Sequence, residues 1–278
     1  MGFRARFGLV FAVCAAAGCS LVVSLDDLRT PDDAASGPDA TDVVSEPNNP
    51  FDAGTDGASA CSQAQGSVVF CDDFDDTDAS TFTHWSMTFV TNKATVTRID
   101  SDASTPFAAR FAVSPNPDGG SPQTELQRVV LTTPTTRVTW QFSVRVGDYG
   151  SGGIHVAPFT LKKGDPLSSI DYLSITSQGT AFAEQVYTDS GSSIYPTHAL
   201  TDTLPVGQWV HVQIVWTLGD AGTTALVSFD GKPVTTPITI DSRATFGNVQ
   251  FAAGISSLGN FIDAGAQIDF DDVIATVE

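Results

Sequence analysis

Period-two alternation of apolar and polar residues constrains this chain more than any other feature. Between Arg137 and Val146, the residues Val138, Trp140, Phe142, Val144 and Val146 fall on one face of an extended strand. Arg137, Thr139, Gln141, Ser143 and Arg145 fall on the other. The stretch 208–218 repeats the pattern, with Val210, Val212, Ile214, Trp216 and Leu218 against Trp209, His211, Gln213 and Val215. A helix would spread such residues around its circumference, because its own period is 3.6 residues. Residues 225–229 alternate and stop at Asp230-Gly231, a hairpin-turn pair. Further strands are expected at 67–70, 93–99, 108–113, 124–131, 172–176, 181–187, 247–255 and 266–277, bounded by Gly, Pro and Asp. No stretch carries helical patterning. Many short strands without helices imply an all-β sandwich or barrel.

The beginning of the chain is different. Arg4 and Arg6 precede an apolar run over 7–17, and small residues lead to Cys19, in the order of a secretory signal. The run is well short of the roughly 20 apolar residues that span a bilayer, so it is expected to be removed. Ala16-Ala17-Gly18-Cys19 resembles the lipobox of bacterial lipoproteins, with Ala16 where Leu is usual. That resemblance implies a signal peptide over 1–18 and a lipidated Cys19, which attaches the chain to a membrane. Cys14 has no small residues before it and makes no such box. Ser20, rather than Asp, after the cysteine implies the outer membrane of the bacterial envelope.

Residues 19–60 then change character. Pro, Asp, Ser, Gly and Ala dominate, and nine acidic residues stand against Arg29 alone. Such a segment buries too little apolar surface to offset its chain entropy, so a disordered, extended tether is expected. Residues 61–278 make one domain of ordinary size. They hold 23 acidic and 10 basic residues, a balance that excludes nucleic acid as a partner. Two cysteines remain in this exported part, Cys61 and Cys71, and a disulfide between them is expected.

Three stretches, in order, resemble the concanavalin A-like lectin/glucanase (laminin G-like) domains. Phe70-Cys71-Asp72-Asp73-Phe74-Asp75-Asp76 is similar to their opening strand. Gly207-Gln208-Trp209-Val210-His211-Val212, followed by Val227-Ser228-Phe229-Asp230-Gly231, is similar to their paired inner strands. Ile268-Asp269-Phe270-Asp271-Asp272-Val273 is similar to their closing strand. The resemblance implies a two-sheet antiparallel jelly-roll sandwich over 61–278. It leaves function open, because that scaffold carries lectins, adhesion modules, hydrolases and lyases.

The glucanases of this fold carry acids at close spacing on one strand, so that one acts as nucleophile and one as acid. No such motif is present. Alginate-type lyases of this architecture carry an Arg-x-Glu-Leu-Arg strand and a Gln-Ile-His strand. Gln123-Thr124-Glu125-Leu126-Gln127-Arg128 and Gly153-Ile154-His155 are similar to these in order. Gln123 and Gly153 replace an Arg and a Gln, and the lyases' C-terminal Tyr-rich motif is missing. Glu125, Arg128 and His155 are the candidates for a catalytic role; the expected role is nonetheless non-catalytic binding, with a polysaccharide-degrading enzyme or a purely structural envelope protein as the alternatives. For a glycan or protein ligand, alternation suggests a polar sheet face with Gln141, Arg145, Tyr172, Tyr187, His211 and Gln213; amides and aromatic rings suit sugars. Trp140 and Trp216 are expected in the core. The resemblance also allows a structural calcium between the first and last strands, held by Asp73, Asp75, Asp269 and Asp271, since calcium takes six to eight oxygens.

The lipobox generates a direct test. Replacing Cys19 with Ser should abolish incorporation of radiolabelled palmitate and move the protein from the membrane to the soluble fraction, since a chain without acyl groups loses the free energy of burying methylenes.

Overall fold

Within the alternating segments, the apolar positions are the buried ones. In Arg137–Asp148 the residues Val138, Trp140, Phe142, Val144 and Val146 are at most 1% exposed. Val212, Ile214 and Trp216 are equally enclosed in Trp209–Gly219. The computed structural model describes residues 60–64, 67–75, 82–91, 93–100, 107–115, 123–131, 135–149, 152–162, 169–187, 193–219, 222–240, 248–258 and 265–278. The signal segment, Cys19 and the acidic tether up to residue 59 lie outside them.

In chain order the described elements begin with one helical turn, α1 (Ala60–Gln63), then β1 (Ser67–Asp72), β2 (Met87–Val90), β3 (Ala94–Asp100) and β4 (Phe107–Val113). There follow β5 (Thr124–Leu131), β6 (Arg137–Asp148), β7 (Ile154–Lys162), β8 (Ser169–Thr176) and β9 (Gly179–Tyr187). Next come β10 (Ser193–Ile194), β11 (Thr197–Ala199), β12 (Trp209–Gly219) and β13 (Gly222–Phe229). The last four are β14 (Lys232–Pro233), β15 (Ile238–Thr239), β16 (Asn248–Leu258) and β17 (Ala266–Val277). The first sheet runs β14-β13-β12-β6-β17-β4-β3, with β1 on β17 and β15 on β13. The second runs β10-β9-β8-β7-β16-β5-β2, with β11 on β9. Every ladder between strands is antiparallel, and the two sheets form a jelly-roll sandwich, as the sequence resemblance implies.

Strand β17 organises the first sheet. One edge pairs with β6 along its length. The other is shared: Ala266–Phe270 pairs with β4, and Val273–Val277 pairs with β1. The opening and closing strands therefore run side by side. At the hand-over the register against β6 shifts between Asp271 and Ile274, and Asp272 takes φ 50°. Aspartate is among the few residues that adopt this left-handed region readily, which suits it to a bulge.

Aromatic rings from both sheets meet in the core. Trp140 and Phe142 of β6 contact Phe251 of β16 and Phe270 of β17 at centroid distances of 5.6 and 5.3 Å. Phe159 of β7 stacks on Trp216 of β12 at 3.8 Å. Both expected core tryptophans, 140 and 216, are fully buried. A buried indole N–H needs an acceptor, and Trp216 Nε1 donates to Asp171 Oδ2 at 2.7 Å.

Besides the two- and three-residue strands β10, β11, β14 and β15, two strands lie where the sequence gives little sign of them. β7 contains Pro158, which ordinarily demotes a strand, and alternation fails there. A bulge absorbs the misfit: the register of β7 shifts between Val156 and Phe159, and Ala157 adopts φ 53°. β2 is short, with all four residues exposed, so it carries no buried face to announce it.

Cys61 and Cys71 form the expected disulfide, joining α1 to β1. Next to it, the Asp72 carboxylate accepts hydrogen bonds from Phe74 N at 2.9 Å and Trp85 Nε1 at 2.6 Å. Phe70 meets Trp85 edge-on at 4.8 Å. Replacing both cysteines with serine should lower unfolding free energy by about 2–3 kcal/mol, the chain-entropy value for so small a loop. Urea denaturation should show the loss as a lower midpoint with little change in slope.

Candidate functional site

The second sheet presents its outer face as a groove of about 570 Å³. Alternation along each strand decides what reaches it. Thr124 and Leu126 of β5 turn inward and are fully buried, so Gln123, Glu125 and Gln127 turn outward. In β7, Ile154 and Val156 are buried in the core, and His155 between them faces the groove with Pro158. β8 adds Ile170 and Tyr172, and β9 adds Gln185 and Tyr187. Tyr195, just after β10, closes that side; Phe89 of β2 stands at the opposite edge, and β16 supplies Gln250 and Ser256. From β2 to β9 the groove crosses six neighbouring strands. At about 4.8 Å per strand that is roughly 24 Å, the length of several sugar rings.

The lining is dominated by amides and phenols that already engage one another. Gln127 Nε2 donates to Glu125 Oε2 at 2.7 Å. Gln185 Nε2 donates to Tyr195 Oη at 3.2 Å. The His155 imidazole stacks on Tyr172 with centroids 4.2 Å apart and planes 27° from parallel, and the His155 carbonyl accepts from Ser256 Oγ at 3.2 Å. Burial controls ionisation here. It pushes the Glu125 carboxyl up, with the Gln127 amide working against it. It pulls the His155 imidazole down, so the ring is neutral at pH 7. It pushes the Tyr172 phenol up to about 12, assisted by Tyr195, and raises Tyr187 in the same way.

Of the three residues proposed for catalysis, Glu125 and His155 enter the groove and Arg128 does not. Arg128 lies one position out of phase, on the opposite face of β5. Its Nη1 donates to the His84 carbonyl at 2.9 Å, and its guanidinium lies 5.7 Å from the Phe70 ring centroid. Gln127 occupies the place in the groove that the sequence motif suggested for a basic side chain.

The expected ligand-binding set is divided between the sheets. Tyr172 and Tyr187 face the groove. Gln141 and Arg145 belong to β6, and His211 and Gln213 to β12, in the first sheet. Arg145 is engaged: its Nε and Nη2 donate to Asp269 Oδ2 at 3.1 and 3.0 Å, and its guanidinium lies 4.7 Å from the Trp209 ring centroid. The His211 backbone N–H donates to Asp230 Oδ1 at 2.8 Å, and burial pulls its imidazole down to about 4 despite Asp230. One polar face was expected because alternation places a side chain on a face of its own strand, and strand pairing alone assigns the strand to a sheet.

Each of the four carboxylates considered for calcium has hydrogen-bonding partners within the protein. Asp269 is fully buried and takes Arg110 as well as Arg145, with Arg110 Nε 2.8 Å from Oδ1 and Nη2 3.0 Å from Oδ2. This contact holds the Arg110 guanidinium more firmly charged. Asp73 Oδ1 accepts Asp75 N at 3.3 Å, and Asp75 Oδ1 accepts Phe107 N at 3.3 Å. Asp271 is fully buried in the bulge, where its Oδ1 accepts Asp272 N at 2.9 Å. Among the described residues no three His, Cys, Asp or Glu side chains are arranged to hold a metal ion.

Besides Tyr172, Tyr187 and the catalytic candidates Glu125 and His155, the groove holds Phe89, Gln123, Gln127, Pro158, Ile170, Gln185, Tyr195, Gln250 and Ser256, none of them expected as ligand contacts. A signal existed for Gln123 and Gln127, which share a face with Glu125, and for Gln250, which alternates with Val249 and Phe251. Tyr195 and Phe89 lie beside short edge strands and carried none.

No family model matches the sequence, and no curated protein matches it significantly. Among solved structures, the fold is similar to an endo-β-1,4-glucuronan lyase from the fungus Trichoderma reesei, with a TM-score of 0.55 and 16% identity over 71% of this chain and 92% of that one. It is similar also to an alginate lyase from Chlorella virus, with a TM-score of 0.51 and 13% identity over 70% and 93%. At these identities the likeness is one of fold: the domain is a concanavalin A-like jelly roll of the architecture those polysaccharide lyases use.

The Asp269 cluster allows a stability test. Breaking a fully buried ion pair costs about 3–5 kcal/mol; Arg110 retains 33% of its side-chain exposure, so a smaller loss applies. Asp269→Asn should lower stability by about 2–3 kcal/mol in urea titrations, and a change below about 0.5 kcal/mol would contradict the structural weight given to this carboxylate.

Proposed function

We propose that this protein is a lipid-anchored glycan-binding protein of the bacterial envelope, displayed from the outer membrane on its acidic tether. The anchor is supported by the lipobox-like sequence ending at Cys19. The binding role is carried by one observation, the groove of amides and tyrosines across the second sheet. Each glutamine amide offers both donors and an acceptor to sugar hydroxyls, and tyrosine rings offer apolar faces with a polar tip. Preformed clefts with convergent polar groups are the usual places for small-ligand binding.

A second reading has its own support. His155, neutral and stacked on Tyr172, lines the same groove as Glu125 and supplies a base and a phenolic acid. Those are the partners a β-elimination in a uronate polysaccharide needs, together with groups that neutralise the carboxylate. That last requirement weighs against it. Arg110 and Arg145 are paired with Asp269, Arg128 turns away, Arg137 meets Glu278 at 3.2 Å, and Arg98 covers the Phe107 ring. No described Arg or Lys lines the groove. Binding without turnover is therefore the better-supported role.

Full-length protein in detergent should bind members of an array of soluble polysaccharides saturably, and Tyr172→Ala with Gln185→Ala should weaken that binding about tenfold or more. Release of unsaturated uronate product, detected by ultraviolet absorbance, would replace this reading with the catalytic one. Saturable binding to no glycan would remove it.

A further inference from the structure

We infer that the groove is built for uncharged glycans and that Glu125 is the residue that turns uronate-bearing ones away, an inference that rests on the glycan-binding reading above. Glu125 is 5% exposed at the groove floor. Across the ladder it pairs with Phe89 of β2 on one side and Gly254 of β16 on the other, and neither neighbour offers a charge. Gly254 is constrained to remain glycine: its φ is +128°, and a Cβ there would lie 2.2 Å from the Thr124 carbonyl oxygen.

The polar partner of this carboxylate is an amide, Gln127, at 2.7 Å. Gln123, the other outward residue of the same strand, is also an amide. In the Arg-x-Glu-Leu-Arg pattern both positions are arginines, which would reverse the sign of the strand's outer face. Here that face is left with a single negative charge. A sugar carboxylate laid over it meets a like charge at a surface where the ligand itself excludes water, and repulsion grows as the local dielectric falls. Hydroxyls of a neutral sugar meet only acceptors and donors they can satisfy.

Acidification tests the same geometry. The titratable groups facing Glu125 across the groove are His155 of β7, Tyr172 of β8, Tyr187 of β9 and Tyr195; β2 and β16 contain none. Burial raises the Glu125 carboxyl and lowers the His155 imidazole, so acid can act through either group, and Glu125→Gln separates the two contributions. The Glu125 carboxyl is raised by burial, and covering it with a ligand raises it further, so binding takes up a proton as pH falls towards the folded value. Uronate affinity therefore rises relative to neutral-sugar affinity on acidification.

The experiment is calorimetric titration of the full chain in detergent with neutral hexasaccharides of gluco, manno and galacto configuration and with the matching hexauronates. At about pH 7 the best neutral ligand should bind at least about tenfold more tightly than its uronate counterpart. Glu125→Gln, which keeps the shape of the side chain, should shrink that ratio to about threefold or less. In the wild type, acidification should shrink it too, and in Glu125→Gln it should do so less. A wild type that prefers hexauronates, or a ratio that neither the substitution nor acid alters, overturns the role of Glu125 while the glycan-binding reading stands. Failure of every neutral and acidic hexasaccharide to bind overturns both. The wild-type comparison at about pH 7 stands even if the variant does not fold, since a preference for hexauronates overturns the proposal.

Discussion

Strand β17 is the constraint on which the rest of the sandwich depends. It is buried along almost its whole length and pairs with β6, β4 and β1, so the first sheet is organised around it. Its inward residues Ile268, Phe270 and Val273 enter the core, while Asp269 on its other face gathers Arg110 of β4 and Arg145 of β6. One carboxylate thus ties three adjacent strands, in an environment where an unpaired charge would be costly. The bulge at Asp271–Asp272 allows one edge to be passed from β4 to β1. The disulfide and the Asp72–Trp85 hydrogen bond then secure the end of β1.

The first sheet spends its polar outer residues on internal pairing; the second leaves them facing an open groove. Arg145, Arg110 and Asp269 satisfy one another, whereas Gln123, Glu125, Gln250, Tyr172 and Tyr187 line space that a ligand can occupy. The difference matters chemically, because the groove receives no cation from the described residues and one carboxylate. Its polarity is that of amides and phenols, which discriminate among ligands by hydrogen-bond geometry rather than by net charge.

Much of the fold was legible. β5 and β17 have the bounds expected from alternation, and β4, β6, β8, β9, β12 and β16 differ only at their ends. Trp140 and Trp216 were placed in the core by the same pattern. What was not legible has physical causes. β7 was hidden because Pro158 and the bulge at Ala157 interrupt its period. β2 has no buried face. Arg128 was selected from its nearness to Glu125 in sequence, yet residues three apart on a strand point to opposite faces.

The sequence by itself determined the class of structure, the residues that would be buried and the two cysteines that would pair, because those follow from period, turn residues and cysteine spacing within short windows. Only the tertiary structure decided which strands share a sheet. Gln141, Arg145, His211 and Gln213 are as polar and as regularly spaced as Tyr172 and Tyr187, but long-range pairing sends the first four to one sheet and the other two to the second. A side chain's face is a local property of its strand. Its neighbours across the ladder, and therefore the chemistry of the site it joins, are set by contacts between segments distant in sequence.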